Sequence, residues 1–203
     1  RPLCEDTSQS VKRLDPRTYE VDVHPPGLTS PLVGQPRRPT DADLGRSEWI
    51  QSSDAAIIEQ AKNVLPGSED PWKVALSLET HVHKLIHQKD YSQAFATARD
   101  VLESRRGDCT EHAVLLAALC RARQIPTRIA VGLVYVPGNS PGFGYHMWNE
   151  VWIVDRWIGL DAMTGRGGTG AGRIKILDTD LGDGEAPLAL VSLLSWIGQG
   201  RLE

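Results

Sequence analysis

Three residues in the second half of the chain have the chemical types that thiol-based acyl transfer needs. Cys109 can act as a nucleophile, His146 as a base, and Asp161 as the carboxylate that orients the base. They stand in three segments, Arg-Gly-Asp-Cys-Thr-Glu-His-Ala at 106–113, Tyr-His-Met-Trp-Asn-Glu at 145–150 and Leu-Asp-Ala at 160–162. This set predicts a cysteine-dependent enzyme that forms a thioacyl intermediate.

The position of Cys109 gives its sulfur a physical reason to be reactive. Asp108 is a favourable N-cap residue and Glu111 completes a capping box, so Cys109 falls in the first turn of a predicted helix. Free amides and the helix dipole favour a thiolate there, and the amide of Cys109 can hold an oxyanion. Gly107 allows the sharp turn that leaves the sulfur accessible. A buried cysteine without chemistry is the competing interpretation of this segment alone.

Two predicted strands favour the catalytic interpretation. Alternation places His146 and Trp148 on one face of the first strand, and Asp161 on one face of the second. A two-residue turn at 154–155 puts Asp161 diagonally from His146, with roughly 7 Å between their backbones. A turn one residue later separates the two side chains beyond hydrogen-bond reach. The alternative is a histidine and an aspartate that only decorate a solvated sheet face.

The elements that must position these residues change type along the chain. Apolar residues recur at helical spacing after residue 52, and at a spacing of two after residue 126. The predicted helices lie at about 54–65, 71–86, 93–103 and 108–123. The predicted strands lie at 127–136, 145–153 and 156–162, with a further candidate at 173–177 and a strand or short helix at 188–197. Helices followed by antiparallel strands indicate an α+β fold.

Residues 1–48 differ from the rest of the chain in composition. They are rich in Pro, Arg and Asp, and contain one predicted strand, at 19–23. We interpret 1–48 as an extended arm or linker, or as the tail of a preceding domain, and 49–203 as one catalytic domain. The chain begins at Arg1 rather than Met, which favours a processed or truncated piece. The compartment, cytoplasmic or exported, therefore stays open.

Composition argues against several classes of protein. A net charge of −4 without clustered Lys and Arg argues against nucleic acid as a partner. No apolar run reaches the length that spans a membrane. Three cysteines are too few for a disulfide framework, and Cys120, roughly 16 Å along the helix from Cys109, is interpreted as a core residue. The oligomeric state is not predictable from these features.

Two further patterns suggest other chemistry more weakly. His83 and His87 stand four residues apart and can share a helix face, as zinc ligands do, but no carboxylate or cysteine near them in sequence completes a site. The glycine-rich segment 165–170 looks like a phosphate loop, yet it lacks the Gly-Lys-Ser/Thr ending. We therefore expect no metal and no cofactor, and interpret 165–170 as a mobile loop beside Asp161.

Four segments resemble the core of the transglutaminase-like superfamily, and their order and spacing fit its bacterial members. They are Gly-Asp-Cys-Thr-Glu-His-Ala at 107–113, Leu-Cys-Arg-Ala-Arg-Gln-Ile-Pro-Thr-Arg at 119–128, His-Met-Trp-Asn-Glu-Val at 146–151 and Trp-Ile-Gly-Leu-Asp at 157–161. Ordered motifs within about residues 90–180 are far more specific than a lone cysteine. The resemblance implies a papain-like α+β fold, with Cys109 as nucleophile, His146 as base and Asp161 as orienting carboxylate.

The resemblance also implies supporting residues around this triad. A side chain upstream of the cysteine usually supplies a second oxyanion donor in the family. Three candidates stand at suitable positions, Gln88, Tyr91 and Gln93. We interpret Trp148 as lining the substrate groove, and His112 and Glu111 as neighbours that support the nucleophile.

The predicted reaction starts when His146 takes the proton of Cys109 and the thiolate attacks a carboxamide or peptide carbonyl. Water as the acceptor gives a peptidase or amidase, and an amine gives a transglutaminase. We favour hydrolysis, with a peptide or protein as the substrate. A hypothesis from another class is a non-catalytic module that binds a peptide or partner protein. The complete Cys, His and Asp set argues against that hypothesis.

Overall fold

The fold places helices before a sheet, as the sequence predicts. The computed structural model describes residues 3–16, 18–32, 34–88, 96–139 and 141–184. In chain order its elements are β1 (Gln9–Arg13), β2 (Tyr19–Val23), α1 (Ala55–Asn63), α2 (Pro71–Leu85), α3 (Ala98–Ser104), α4 (Cys109–Ala122), β3 (Thr127–Val136), β4 (Gly142–Ile153), β5 (Arg156–Leu160) and β6 (Arg173–Thr179). The predicted α+β class is confirmed. None of the helices in the described part is long and apolar enough to cross a membrane.

Side-chain caps fix where the helices begin, because they satisfy the first free amides of each helix. Asp54 caps α1, Asp70 caps α2, Thr97 caps α3 and Asp108 caps α4. Three of these starts agree with the sequence prediction. The third helix begins at Ala98 rather than at residue 93, and residues 93–95 lie outside the described part, as does the predicted element at 188–197.

Helix α4 is the centre of the core. All its residues from Thr110 to Arg121 are buried, because α1, α2 and α3 pack around it and β3 and β4 cover its remaining side. Cys120 lies in this core, as predicted. Each fully buried leucine contributes roughly 1.5–3 kcal/mol. Among the elements that the structure describes, the helix that carries Cys109 at its start is therefore the most extensively buried.

The main sheet is antiparallel and has the strand order β5-β4-β3-β6. Trp152 lies opposite Trp157, and Asn149 lies opposite Leu160. This is the register that a turn at 154–155 requires, so the earlier of the two predicted turn positions is confirmed. β5 ends at Leu160, and Asp161 therefore leaves the sheet directly after its last paired residue.

The sheet has a helix-covered face and an outer face. The helix-covered face contributes apolar residues to the core, Met147, Val151, Ile153, Ile158 and Leu160. The outer face carries Lys175, whose backbone N–H donates to Gln9 Oε1 at 2.8 Å, and Trp157, whose Nε1 donates to the carbonyl oxygen of Arg37 at 2.6 Å. Residues of the first 48 thus contact the sheet, while the domain boundary at residue 48 stays a prediction.

The first segment also contains a strand that the sequence reading missed. β1 pairs with β2 in a separate antiparallel ribbon, with Val11 opposite Val21. The predicted strand at 19–23 is confirmed as β2. β1 escaped prediction because it holds one apolar residue among polar ones, so no alternation marks it.

Candidate active site

Cys109 is the first residue of α4 and one of three free cysteines. Its side chain is half-buried. The N-cap Asp108 accepts the N–H of Thr110 at 2.9 Å, and Glu111 Oε2 accepts the N–H of Asp108 at 3.0 Å. Asp108 also accepts the N–H of Glu111, so the predicted capping box is present. Neither of its bonds uses the amide of Cys109, which stays at the helix N-terminus beside the sulfur.

The turn before Cys109 leaves no room for a side chain. Gly107 has a φ of +149°, and a Cβ there would lie 2.2 Å from the Cβ of Glu111. Glu111 is buried, and burial raises its pKa to about 7. His112 is also buried, which lowers its pKa, and its Nδ1 lies 2.6 Å from the carbonyl oxygen of Asp108. Glu111 and His112 thus brace the segment that presents Cys109.

His146 connects the nucleophile to a carboxylate. Its Nε2 lies 2.8 Å from Asp161 Oδ2, and its ring also interacts electrostatically with the side chain of Cys109. Burial opposes the charged ring, but the interactions with Asp161 and Cys109 outweigh it and raise the pKa of His146 from 6.5 to about 9. The imidazolium is therefore the form favoured at neutral pH.

Asp161 is almost wholly buried and has more partners than the sequence suggests. Oδ2 accepts from His146 and also forms an ion pair with Arg173, while Oδ1 accepts the N–H of Met163 at 3.1 Å. Burial raises the pKa of this carboxyl, but the cationic partners outweigh burial and hold the pKa below its usual value. Asp161 thus stays ionised, which suits it to stabilise an imidazolium.

Trp148 packs against the candidate base. Its ring stacks on that of His146, with 6.4 Å between centroids and an interplanar angle of 17°. Only 4% of its surface is exposed. Its described contact is therefore with the imidazole, and its predicted role in a substrate groove stays a prediction.

The candidates for a second oxyanion donor lie partly outside the described residues. Gln88 is described, and its carbonyl oxygen accepts the N–H of Gly107 at 3.1 Å, so it stands next to the turn that precedes Cys109. Tyr91 and Gln93 fall within the segment that is not described. The choice among the three stays open.

The other sequence patterns have local partners. His83 Nδ1 lies 3.0 Å from the carbonyl oxygen of Ala162. His87 lies beyond the end of α2 rather than on its face, and its Nδ1 lies 3.1 Å from the carbonyl oxygen of Leu85. The glycine-rich loop lies beside Asp161, as predicted. The loop was predicted to be mobile, but it is anchored to α2, because the N–H of Gly167 donates to Glu79 Oε2 at 2.9 Å.

Two residues that contact Asp161, Glu79 and Arg173, were not predicted from the sequence. Glu79 left a usable signal, since it stands between Leu78 and Val82 on the buried stripe of α2, where an apolar residue is expected. Arg173 left none, because an arginine at the start of a candidate strand is ordinary surface composition.

The amino-acid sequence of this chain matches one family of known proteins. The model of the transglutaminase-like superfamily core matches residues 58–162, just over half of the 203-residue chain. Kyphoscoliosis peptidase of Mus musculus is 33% identical over 91 residues, and that of Homo sapiens is 32% identical over 91 residues. Each alignment covers 39% of this chain and 13% of the relative.

A solved structure is similar to this fold. A candidate cysteine protease from Cytophaga hutchinsonii superposes with a TM-score of 0.58 at 26% sequence identity, over 68% of this chain and 46% of the other. The chain thus spans less than half the length of each of these relatives. The α+β architecture is the papain-like one that the sequence resemblance implied.

Proposed function

This chain belongs to the transglutaminase-like superfamily, whose members include cysteine-dependent enzymes, and we propose that it transfers acyl groups from peptide or glutaminyl amides through Cys109, His146 and Asp161. One observation carries the proposal: a single imidazole is hydrogen-bonded to a buried carboxylate and interacts electrostatically with a half-buried thiol at a helix start. A structural role alone gives no reason for this chain of contacts.

The proposed reaction begins with the ion pair of thiolate and imidazolium. The sulfur of Cys109 attacks the amide carbonyl, and the amide at the start of α4 stabilises the oxyanion of the tetrahedral intermediate. His146 then gives its proton to the leaving nitrogen, the carbon–nitrogen bond breaks, and a thioester remains on Cys109. Asp161 holds the imidazole in place and stabilises its positive charge.

The second half of the reaction decides the product. Neutral His146 takes a proton from water, and the resulting attack on the thioester releases a carboxylic acid and the thiol. An amine that attacks in place of water gives a new amide and makes the enzyme a transglutaminase. We favour hydrolysis. The name peptidase for the mouse and human relatives agrees with this choice.

The pH dependence of Cys109 alkylation tests the ion pair. Iodoacetamide should label Cys109 rapidly well below pH 8, because the raised pKa of His146 keeps a cation beside the sulfur and a cation favours the thiolate. The His146→Ala variant should lose the rapid labelling below pH 8. The same slow, alkaline profile in both proteins would contradict the proposal.

Two other cysteines serve as controls inside the same molecule. Burial raises the pKa of Cys4 to about 11 and that of Cys120 to about 12. Mass spectrometry of the labelled peptides should therefore find modification at Cys109 long before either of the others. Equal labelling of Cys4 and Cys109 near neutral pH would indicate an ordinary thiol and favour the binding-module alternative.

Product analysis separates the two acceptors. A glutaminyl peptide incubated with a primary amine should release ammonia and yield mainly the glutamate product. Amine incorporation that exceeds hydrolysis would reassign the protein to transamidation. Binding of the peptide with no product of either kind, in a protein whose Cys109 alkylates slowly, would support the non-catalytic module.

A further inference from the structure

Glu79 is a buried carboxylate that the proposed reaction does not use. It lies on α2 with none of its surface exposed. Its Oε1 accepts the backbone N–H of Asp161 at 2.9 Å, and its Oε2 accepts the backbone N–H of Gly167 at 2.9 Å. One side chain therefore ties the end of β5 to the glycine-rich loop that follows.

The surroundings of Glu79 give it no stabilising charge. No Lys or Arg forms an ion pair with it within the described ranges, and burial raises its pKa. A carboxylate buried without a cation destabilises the folded state. An uncharged or apolar side chain would fill the same space at lower cost. The presence of a carboxylate at this position is better explained by the two backbone N–H groups that it binds.

His83, one turn further along α2, contacts the same segment at the residue that follows Asp161. Its Nδ1 lies 3.0 Å from the carbonyl oxygen of Ala162. The loop passes so close that a Cβ on Gly165 would lie 2.6 Å from the His83 ring. The carbonyl oxygen of Asp161 in turn accepts the N–H of Gly165 at 2.8 Å. The backbone on both sides of the Asp161 side chain is therefore fixed to one helix.

We propose that Glu79 is a positioning residue that orients Asp161 and, through it, keeps His146 aligned with Cys109. This inference rests on the proposed function, since it assigns Glu79 to the same triad. The His146–Asp161 bond has a length of 2.8 Å, and displacements near 1 Å are enough to weaken such alignment. Free rotation of the backbone at Asp161 would allow displacements of that size.

Two substitutions of Glu79 separate position from charge. Glu79→Gln keeps the size of the side chain but turns an N–H toward one of the two amides. Glu79→Asp keeps the charge but is too short to reach both amides. Glu150→Gln is the matched control, because Glu150 is a buried carboxylate on β4 whose described partners are Arg128 and Lys175, not Asp161.

The readouts are an NMR titration of His146 and the rate of Cys109 alkylation at pH 7. Both Glu79 variants should lower the pKa of His146 from about 9 toward its ordinary 6.5 and slow alkylation by about tenfold. Glu150→Gln should change neither. If Glu79→Gln fails to fold, Glu79→Asp carries the test alone.

Two results overturn the inference. One is a folded Glu79 variant with the wild-type titration of His146. The other is an equal shift in Glu150→Gln, which would indicate general loosening. The titration reports on the Asp161–His146 pair directly. A wild-type Cys109 that alkylates slowly would therefore defeat the proposed function, while a titration shift confined to the Glu79 variants would still support the positioning role.

Discussion

Strand β4 carries two buried charged sites four residues apart, and they behave differently. His146 belongs to the candidate active site, while Glu150 belongs to an ion network on the outer face of the sheet. In that network Glu150 accepts from Arg128 Nε at 2.7 Å and from Lys175 Nζ at 2.8 Å. Both cations also pair with Asp6, so each charge is shared among several partners.

The comparison shows that buried charge alone does not mark a functional site. The ion network is closed, because its cations and carboxylates satisfy one another and little of them reaches solvent. The candidate active site is open at one end. Asp161 holds one nitrogen of His146, and the ring also interacts electrostatically with Cys109, which is half-buried and can meet a substrate.

Removing the sulfur should have the largest effect. Cys109→Ser should lower amide cleavage by about 10⁴-fold or more, because a serine hydroxyl is a poor replacement for a thiolate beside an imidazolium. Steady-state release of product from a peptide amide measures the loss. Residual activity within tenfold of wild type would mean that another group carries the reaction.

Removing the charge of Asp161 should have the next largest effect. Asp161→Asn should lower the rate of Cys109 acylation by about 10²–10⁴-fold, because an amide neither stabilises the imidazolium nor fixes its tautomer. The pKa of His146 should fall from about 9 toward 6.5 in an NMR titration. An unchanged titration would place the source of the raised pKa elsewhere.

Breaking the closed network should destabilise the protein and leave the chemistry intact. Lys175→Met removes a nearly wholly buried cation and leaves Glu150 and Asp6 under-compensated, at a cost of about 3–5 kcal/mol in unfolding free energy. Urea denaturation measures the cost. The alkylation rate of Cys109 per folded molecule should stay at the wild-type value, and a parallel loss of reactivity would show that the two sites are coupled.

The pH dependence of stability gives the smallest of these effects. His146 has a higher pKa in the folded state than in the unfolded chain, so its contribution is complete below about pH 6.5 and is lost as the pH rises through about 9. The stability advantage of wild type over His146→Gln should therefore shrink by about 3 kcal/mol between those limits. An advantage that grows with pH would reverse the assigned direction of the shift.

Much of the candidate site was predictable because it depends on local rules. The cap at Asp108 and the two-residue turn at 154–155 each follow from short-range geometry, and together they fix where Cys109 and Asp161 lie. Contacts between distant polar residues follow no such rule. The pairing of Asp6 with Lys175 spans 169 positions and leaves no periodic trace in the sequence.

The buried polar residues around Asp161 were missed for the same reason. Arg173 pairs with Asp161 although β5 and β6 lie at opposite edges of the sheet, so neither the sequence nor the order of the strands indicates the contact. Glu79 broke the apolar stripe of α2, but the stripe alone does not tell which backbone amides it meets. Tyr91 and Gln93 lie outside the described residues, so their roles stay predictions.

Selection should act on the length of the turn between β4 and β5 more strongly than on its sequence. Val154 is 85% exposed and has a φ of +60°, a conformation that costs a β-branched residue about 1 kcal/mol or more. Selection should therefore tolerate many amino acids there, and glycine or asparagine should even be favoured. Selection should not tolerate a change in the number of residues in the turn. An insertion or deletion of one residue would carry Asp161 away from His146, so a mutation harmless in most surface loops should abolish function here.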